Sequence, residues 1–293
     1  MNWQAIVENI ENATGAAFKL INAKSLAGGD INSAYCLQGV DKSYFVKLNR
    51  AESVEMFASE AAGLTELAAT STVRTPSPVV HGISAANAFL VLEYIEFGSS
   101  SKTSDRLFGQ QLALLHQQQQ PYFGWHRDNT IGSTPQPNSS NGDWIEFWCT
   151  HRLQHQLQLA AAKGYGGRLQ ASGEQLCEKL TQFFDNYQPH PSLLHGDLWG
   201  GNAAIDKQGN PVIFDPACYY GDKQADLAMT ELFGGFSQDF YATYRDTCPI
   251  DTGYTTRKKL YNLYHILNHL NLFGSGYLSQ AENIISSLLS EIR

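Results

Sequence analysis

Two aspartates and an asparagine stand at spacings that invite chemistry. The run His195-Gly196-Asp197-Leu198-Trp199-Gly200-Gly201-Asn202 is followed by Val212-Ile213-Phe214-Asp215-Pro216. Two carboxylates therefore lie 18 positions apart, with a carboxamide five positions after the first. Magnesium-assisted phosphoryl transfer to a hydroxyl needs such a set. One carboxylate accepts the hydroxyl proton, while the other and the carboxamide oxygen offer hard ligands to Mg²⁺, which keeps phosphate oxygens and water for its remaining positions. An apolar strand ending in Asp215 presents that carboxylate from a rigid support, and Gly200 and Gly201 let the intervening loop turn tightly. An aspartate after His-Gly is, on its own, an ordinary turn residue. Its spacing to Asn202 and Asp215 makes Asp197 the candidate base.

The neighbours have plainer readings. His195 is expected to hold the loop by hydrogen bonding, because a carboxylate base stands two residues away. Trp199, beside that base, is expected to lie against a sugar face rather than simply pack in the core. Asp226 is read as the cap of a helix over 227–233 and a brace for the loop. Asp222 either faces the substrate or terminates a turn. His265 and His269 are four apart on a helix, a zinc-compatible spacing, but no third ligand follows and a packed or hydrogen-bonded pair is expected.

Positioning these groups requires two kinds of structure. The first third reads as strands near 17–26 and 34–38, a turn at Ala27-Gly28-Gly29-Asp30-Ile31-Asn32, a strand Ser43–Leu48, a helix over 52–69 and a buried strand Phe89–Tyr94. A hairpin turn is the default meaning of Gly28-Gly29; its place ahead of Lys47 raises the alternative of a phosphate-covering loop. Glu96-Phe97-Gly98-Ser99-Ser100-Ser101 breaks the pattern and is taken as a lobe boundary, giving domains 1–95 and 96–293. Helices are then expected at 104–120, 143–163, 172–187, 224–233, 237–246, 256–272 and 278–292, with a long loop at 121–142 and a strand–loop–strand at 192–215.

Composition excludes several function classes. The chain of 293 residues is 43% hydrophobic and 16% charged, an ordinary globular mix with room for a sizeable core. A net charge of −8 disfavours nucleic-acid binding by phosphate neutralisation. The five scattered cysteines, with no C-x-x-C pair, form neither a disulfide framework nor a zinc site. With no signal-like start and no apolar run near the roughly 20 residues a bilayer needs, the expected setting is cytoplasmic, with no membrane partner.

The string H-G-D-L-W-G-G-N followed by F-D-P-A-C-Y-Y-G-D-K-Q-A-D-L-A-M resembles the catalytic and metal-binding loops of fructosamine kinases (ketosamine 3-kinases), within the aminoglycoside-phosphotransferase branch of the protein-kinase-like fold. The likeness runs from the Gly-Gly turn to L-N-H-L-N-L-F-G near the end. It implies an α+β bilobal fold with a small antiparallel-sheet N-lobe and a larger helical C-lobe. It further implies ATP and Mg²⁺ as cofactors, Asp197 as general base, Asn202 and Asp215 as metal ligands, and Lys47 on the phosphates with Glu60 as its ion-pair partner. Gly28 and Gly29 would cover the phosphates, and Leu92, Glu93, Tyr94 and Ile95 would offer hinge backbone groups to adenine. The acceptor implied is a small ketosamine or glycated lysine, phosphorylated on the third carbon's hydroxyl. A kinase of another amino alcohol or aminoglycoside shares the catalytic set, and a silent ATP-binding scaffold is the alternative of another class.

Two features separate the chain from protein-serine/threonine kinases. Gly196 stands where those enzymes carry an arginine, and only ten residues separate Asp215 from Asp226, too few for a long activation segment. One feature departs from many eukaryotic fructosamine kinases, whose turn carries a cysteine where this chain has Asp30. A redox switch through that thiol is therefore not carried over, and Gln224, where an acidic residue is expected, leaves local substrate contacts open.

Overall fold

The computed structural model describes residues 3–27 and 31–292, so the Gly28-Gly29 turn lies outside the described residues. The chain begins with a helix, α1 (Trp3–Thr14), which the strand-like reading of this third did not include. Then come β1 (Leu20–Leu26), β2 (Ser33–Gly39), β3 (Ser43–Arg50), α2 (Val54–Ala69), β4 (Pro78–Ser84) and β5 (Asn87–Glu93). The five strands make one antiparallel sheet in the order β1-β2-β3-β5-β4.

Side-chain alternation explains what covers this sheet. Tyr44, Val46 and Leu48 of β3, with Phe89 and Val91 of β5, face Ile6, Val7 and Ile10 of α1. Ala88, Leu90 and Leu92 point the other way, onto Phe57, Ala61 and Leu64 of α2. Because β5 is covered on both faces, it reads as a continuous apolar run. Each fully buried Val, Leu, Ile or Phe is worth about 1.5–3 kcal/mol, so these two small clusters fix the sheet between its helices. The same alternation puts Lys47, between Val46 and Leu48, on the α2 face.

After β5 the chain crosses to a helical body. Gly98 N–H donates to Ile205 O (2.8 Å) and Lys207 N–H to Glu96 O (3.2 Å), tying the crossing segment to that body. The body contains α3 (Lys102–Leu115), β6 (Asn129–Ile131), β7 (Thr134–Gln136), α4 (Trp144–Trp148), α5 (His155–Ala162) and α6 (Arg168–Glu178). It continues with β8 (Ser192–Leu194), β9 (Ala203–Ile205), β10 (Pro211–Ile213), β11 (Tyr219–Gly221), α7 (Lys223–Leu232), α8 (Gln238–Thr247), α9 (Tyr254–Phe273) and α10 (Leu278–Glu291). α3 packs on α8, and α9 packs on α7 and α10.

Three expectations are corrected. α3 stops at Leu115 instead of running to Gln120: Leu193 N–H donates to Gln118 O (2.8 Å) and Gln120 N–H to Pro191 O (3.3 Å), so the glutamine run lies beside β8 and does not continue the helix. The segment expected as a loop at 121–142 contains the β6–β7 hairpin. The helix expected at 172–187 begins at Arg168 and gives way after Glu178 to a 3₁₀ turn at Leu180–Phe183. The helix expected over 143–163 is present as α4 and α5, joined through a π-helical stretch at Cys149–Gln154.

Candidate active site

Very short strands deliver the expected residues. β8 pairs with β11 and β9 with β10, and the loop between β8 and β9 carries His195 to Asn202. Asp215 follows β10. Phe214 N–H donates to Asn202 O (3.0 Å), joining the two loops through the backbone. Asp215 has φ of 59°, in the left-handed region where a non-glycine residue is strained, a feature that concentrates at functional sites.

Asp226 holds the loop from beneath. Its carboxylate accepts from His195 N–H (2.6 Å) and Gly196 N–H (2.8 Å), and His116 lies 3.3 Å away, itself hydrogen-bonded to Tyr244. These bonds outweigh burial and keep the Asp226 carboxyl below the usual carboxylate range. The brace is thus as expected, but the cap is not: the N-cap of α7 is Asp222, whose side chain accepts from Gln224 N–H, while Asp226 sits inside the first turn. Gly196 (φ 83°) passes so close to the segment leading into β11 that a Cβ would lie 2.1 Å from Ala217 O, which excludes any side chain there.

His195 is a structural residue, as expected. Its Nδ1 accepts from Asp197 N–H (3.2 Å) and its Nε2 donates to Phe214 O (2.9 Å), which assigns the neutral tautomer. Burial lowers its pKa and so favours the same form. Asn202 Nδ2 donates to Asp197 O (2.8 Å) and to Asp197 Oδ2 (3.1 Å). The amide is thereby oriented with its oxygen free of protein donors among the described residues. Burial, then the nearby Asp215, push the Asp197 carboxyl up to about 7 against the opposing Asn202 bond.

Across the cleft, Lys47 Nζ lies 2.7 Å from Glu60 Oε1 and 2.6 Å from Asp215 Oδ1. Burial disfavours the ammonium, but Asp215 and Glu60 together more than offset it and raise its pKa. Two carboxylates share one cation, and burial with the Asp215 charge pushes Glu60 up to about 7 despite Lys47.

Lys47, Glu60, Asp197, Asn202 and Asp215 line one cleft of about 980 Å³, together with Leu92, Glu93, Tyr94, Ile95 and Trp199. Glu93 already spends its N–H on Ser77 O (2.9 Å) and its carboxylate on Arg74 (2.6 Å), which also reaches Asp206 (2.5 Å), so the group it could still offer a ligand is its backbone carbonyl. Trp199 is 36% exposed and meets Phe233 edge-on, so it faces the cleft.

Asp222 is a correction. It is fully buried, absent from the cleft lining, and accepts from Tyr187 (2.8 Å) and Tyr261 (2.5 Å) while capping α7. The structural alternative holds and the substrate contact does not. His265 and His269 are stacked along α9, with His269 Nδ1 donating to His265 O (2.7 Å), and both line the cleft.

Several supporting residues were not legible in the sequence. Asn129 and Gln136 of the β6–β7 hairpin donate to Cys218 O (2.7 Å) and Ala217 O (3.1 Å), buttressing the chain beyond Asp215. Arg152, fully buried, donates to Pro137 O (2.7 Å) and Asn138 Oδ1 (2.8 Å) and lies 4.1 Å from the Tyr219 ring centroid. The cleft face of α9 (His265, Asn268, His269, Leu272) follows an i, i+3, i+4, i+7 pattern, and polar residues within that apolar stripe were the available signal.

The donor set fits Mg²⁺. The Asn202 amide oxygen and the partly exposed Asp215 carboxylate are hard oxygens at the mouth of the cleft, and magnesium typically takes one or two carboxylates plus phosphate oxygens.

A lysine–glutamate pair under a five-stranded sheet, facing a carboxylate-bearing loop across a cleft, defines a phosphotransferase of the protein-kinase-like class. The fold agrees with choline kinase LicA from Streptococcus pneumoniae, at a TM-score of 0.63 and 17% identity over 98% of this chain and 99% of that one. A family model described as fructosamine kinase matches residues 2–291, and the chain belongs to that family. It is 49% identical to a probable ketoamine kinase of Synechocystis sp., over 98% of this chain and 97% of the relative. It is 42% identical to a chloroplastic protein-ribulosamine 3-kinase of Arabidopsis thaliana, over 95% and 86%. A crystal structure from Haemophilus somnus, provisionally named a fructosamine-3-kinase, superposes at a TM-score of 0.90 with 29% identity, covering 98% and 97% of the two chains.

Proposed function

We infer that this protein transfers the γ-phosphoryl group of ATP to a sugar hydroxyl, that on the third carbon, of a ketosamine. The observation that carries the reading is the meeting of Asp197, Asn202, Asp215, Lys47 and Glu60 in one cleft, in a chain that matches the fructosamine kinase family along nearly its whole length. Asp197 accepts the hydroxyl proton and orients the oxygen for in-line attack; burial raises the basicity of its carboxylate, which suits it to that role. Asn202 positions Asp197 through its amide, and Lys47, fixed by Glu60, balances charge on the phosphates. Asn202 and Asp215 would hold Mg²⁺, which would supply neutralisation of the phosphate charge. Leu92, Tyr94 and Ile95 form the adenine side, and Trp199 lies against the sugar. The product is a labile ketosamine 3-phosphate whose breakdown frees the amine, which serves deglycation.

The test is ADP release with synthetic glycated amines, ATP and Mg²⁺. Asp197→Asn is expected to lower kcat by about 10²–10⁴ with ATP affinity little changed. Undiminished turnover by the variant, or phosphorylation of aminoglycosides in place of ketosamines, overturns the assignment.

A further inference from the structure

One wall of the acceptor half of the cleft is not used by phosphoryl transfer. From Trp199 the aromatic rings step outward: Phe233 at 5.9 Å between centroids, then His269 at 5.0 Å from Phe233, then Phe273 and Tyr277 at 5.4 and 5.2 Å from His269. All five line the same cleft as Asp197. The outer end is open, Phe273 being 51% exposed. His269 spends its Nδ1 proton on His265 O, so Nε2 carries the lone pair, and it has no hydrogen-bond donor among the described residues. Burial lowers the imidazole's pKa and keeps it in that neutral form.

The charges in the cleft are one-sided. Lys47 is the single lysine or arginine among its described lining residues, and it is already bonded to two carboxylates. Glu60, Glu93, Asp197 and Asp215 also line it. A cation is welcome over aromatic faces in such a field, whereas an added carboxylate finds no partner.

We propose that the strip Phe233–His269–Phe273–Tyr277 is the subsite for the amine arm of the acceptor. A secondary alkylammonium donates to His269 Nε2, its chain lies across Phe273 and Tyr277, and acceptors with a carboxylate beside the amine are selected against. The subsite deepens the ketosamine reading and rests on it. Its open end suits an arm that continues into a peptide, as on a glycated lysine side chain.

The experiment compares three adducts of one ketose: with butylamine, with the ε-amine of Nα-acetyl-lysine amide, and with glycine. The first two are expected within a few-fold of each other in kcat/KM, and the glycine adduct about tenfold or more below them. Phe273→Ala is expected to raise KM for the butylamine and lysine-amide adducts about 3- to 30-fold, as one or two CH₂ groups of the arm lose their apolar cover, while KM for ATP stays unchanged. The ring is half-exposed, so the variant folds. Equal use of all three adducts, or an unchanged acceptor KM in Phe273→Ala, overturns the subsite and leaves the ketosamine reading standing. Failure to phosphorylate any of the three overturns that reading and the subsite together.

Discussion

Lys47 and Asp215, 168 positions apart, form an ion pair of 2.6 Å that bridges the sheet and the helical body across the cleft. The ammonium reaches Asp215 only because Glu60, on α2 behind it, holds the side chain from the other direction. Each end of this three-group chain is therefore sensitive to the middle.

Lys47→Ala removes the cation that Glu60 and Asp215 share. Breaking a buried pair by deleting one partner costs about 3–5 kcal/mol, reduced here to the extent that Glu60 takes up a proton. A lower Tm and a loss of ATP binding are expected, measured by thermal unfolding with and without nucleotide. An unchanged Tm together with intact ATP protection contradicts the bridge.

Gly196→Ala tests the close approach beneath the candidate base. A methyl group 2.1 Å from Ala217 O, at a φ of 83°, can be accommodated only by moving the backbone. That movement breaks the pair of N–H bonds to Asp226, each worth about 1.5–3 kcal/mol to a charged acceptor. The variant is expected to lose kcat far more than ATP affinity and to unfold at lower temperature. Retention of both kcat and Tm sinks the account of this turn.

His195 and His265 give the stability a defined pH dependence. Burial depresses both, His265 to about 3. In the unfolded chain each takes up a proton near about pH 6.5, while the folded protein resists it. The unfolded state then binds more protons, so stability falls on acidification from about 6.5 downward, by at most about 1.4 kcal/mol per pH unit for each histidine. Above neutrality these groups contribute no slope. Denaturant unfolding at several pH values between 7.5 and 5 measures it, and His265→Asn should flatten the dependence; an identical slope in the variant refutes the attribution.

Much of the site was readable because it is local in sequence. Asp197, Asn202 and Asp215 sit on a strand–loop–strand whose spacing is set by short-range geometry, and Lys47 lies in a strand whose aromatic and β-branched residues mark it. Asp222 was not resolved by sequence: an acidic residue in a turn before a helix can face a ligand or cap the helix, and only the surroundings decide. Tyr187 and Tyr261, 35 and 39 positions away, turned out to enclose it.

The end of α3 was hidden for a similar reason. Gln117 to Gln120 favour helix by propensity, but backbone bonds with Pro191 and with Leu193 of β8 offered a non-local alternative that propensity does not see. The aromatic wall of the acceptor subsite likewise needs α7, α9 and the turn after α9 to be brought together before its rings make a surface.

By itself, then, the sequence determined the chemistry-bearing residues, the change from a strand-rich first third to a mainly helical remainder, and the family pattern, because these follow from residue type and near-neighbour spacing. Tertiary structure decided which carboxylate meets the cleft and which is sealed, how one lysine is shared between two acids, and which aromatic rings gather along one wall of the cleft. Those outcomes depend on burial and on contacts between segments that lie from tens of residues to 168 residues apart, and no local pattern encodes them.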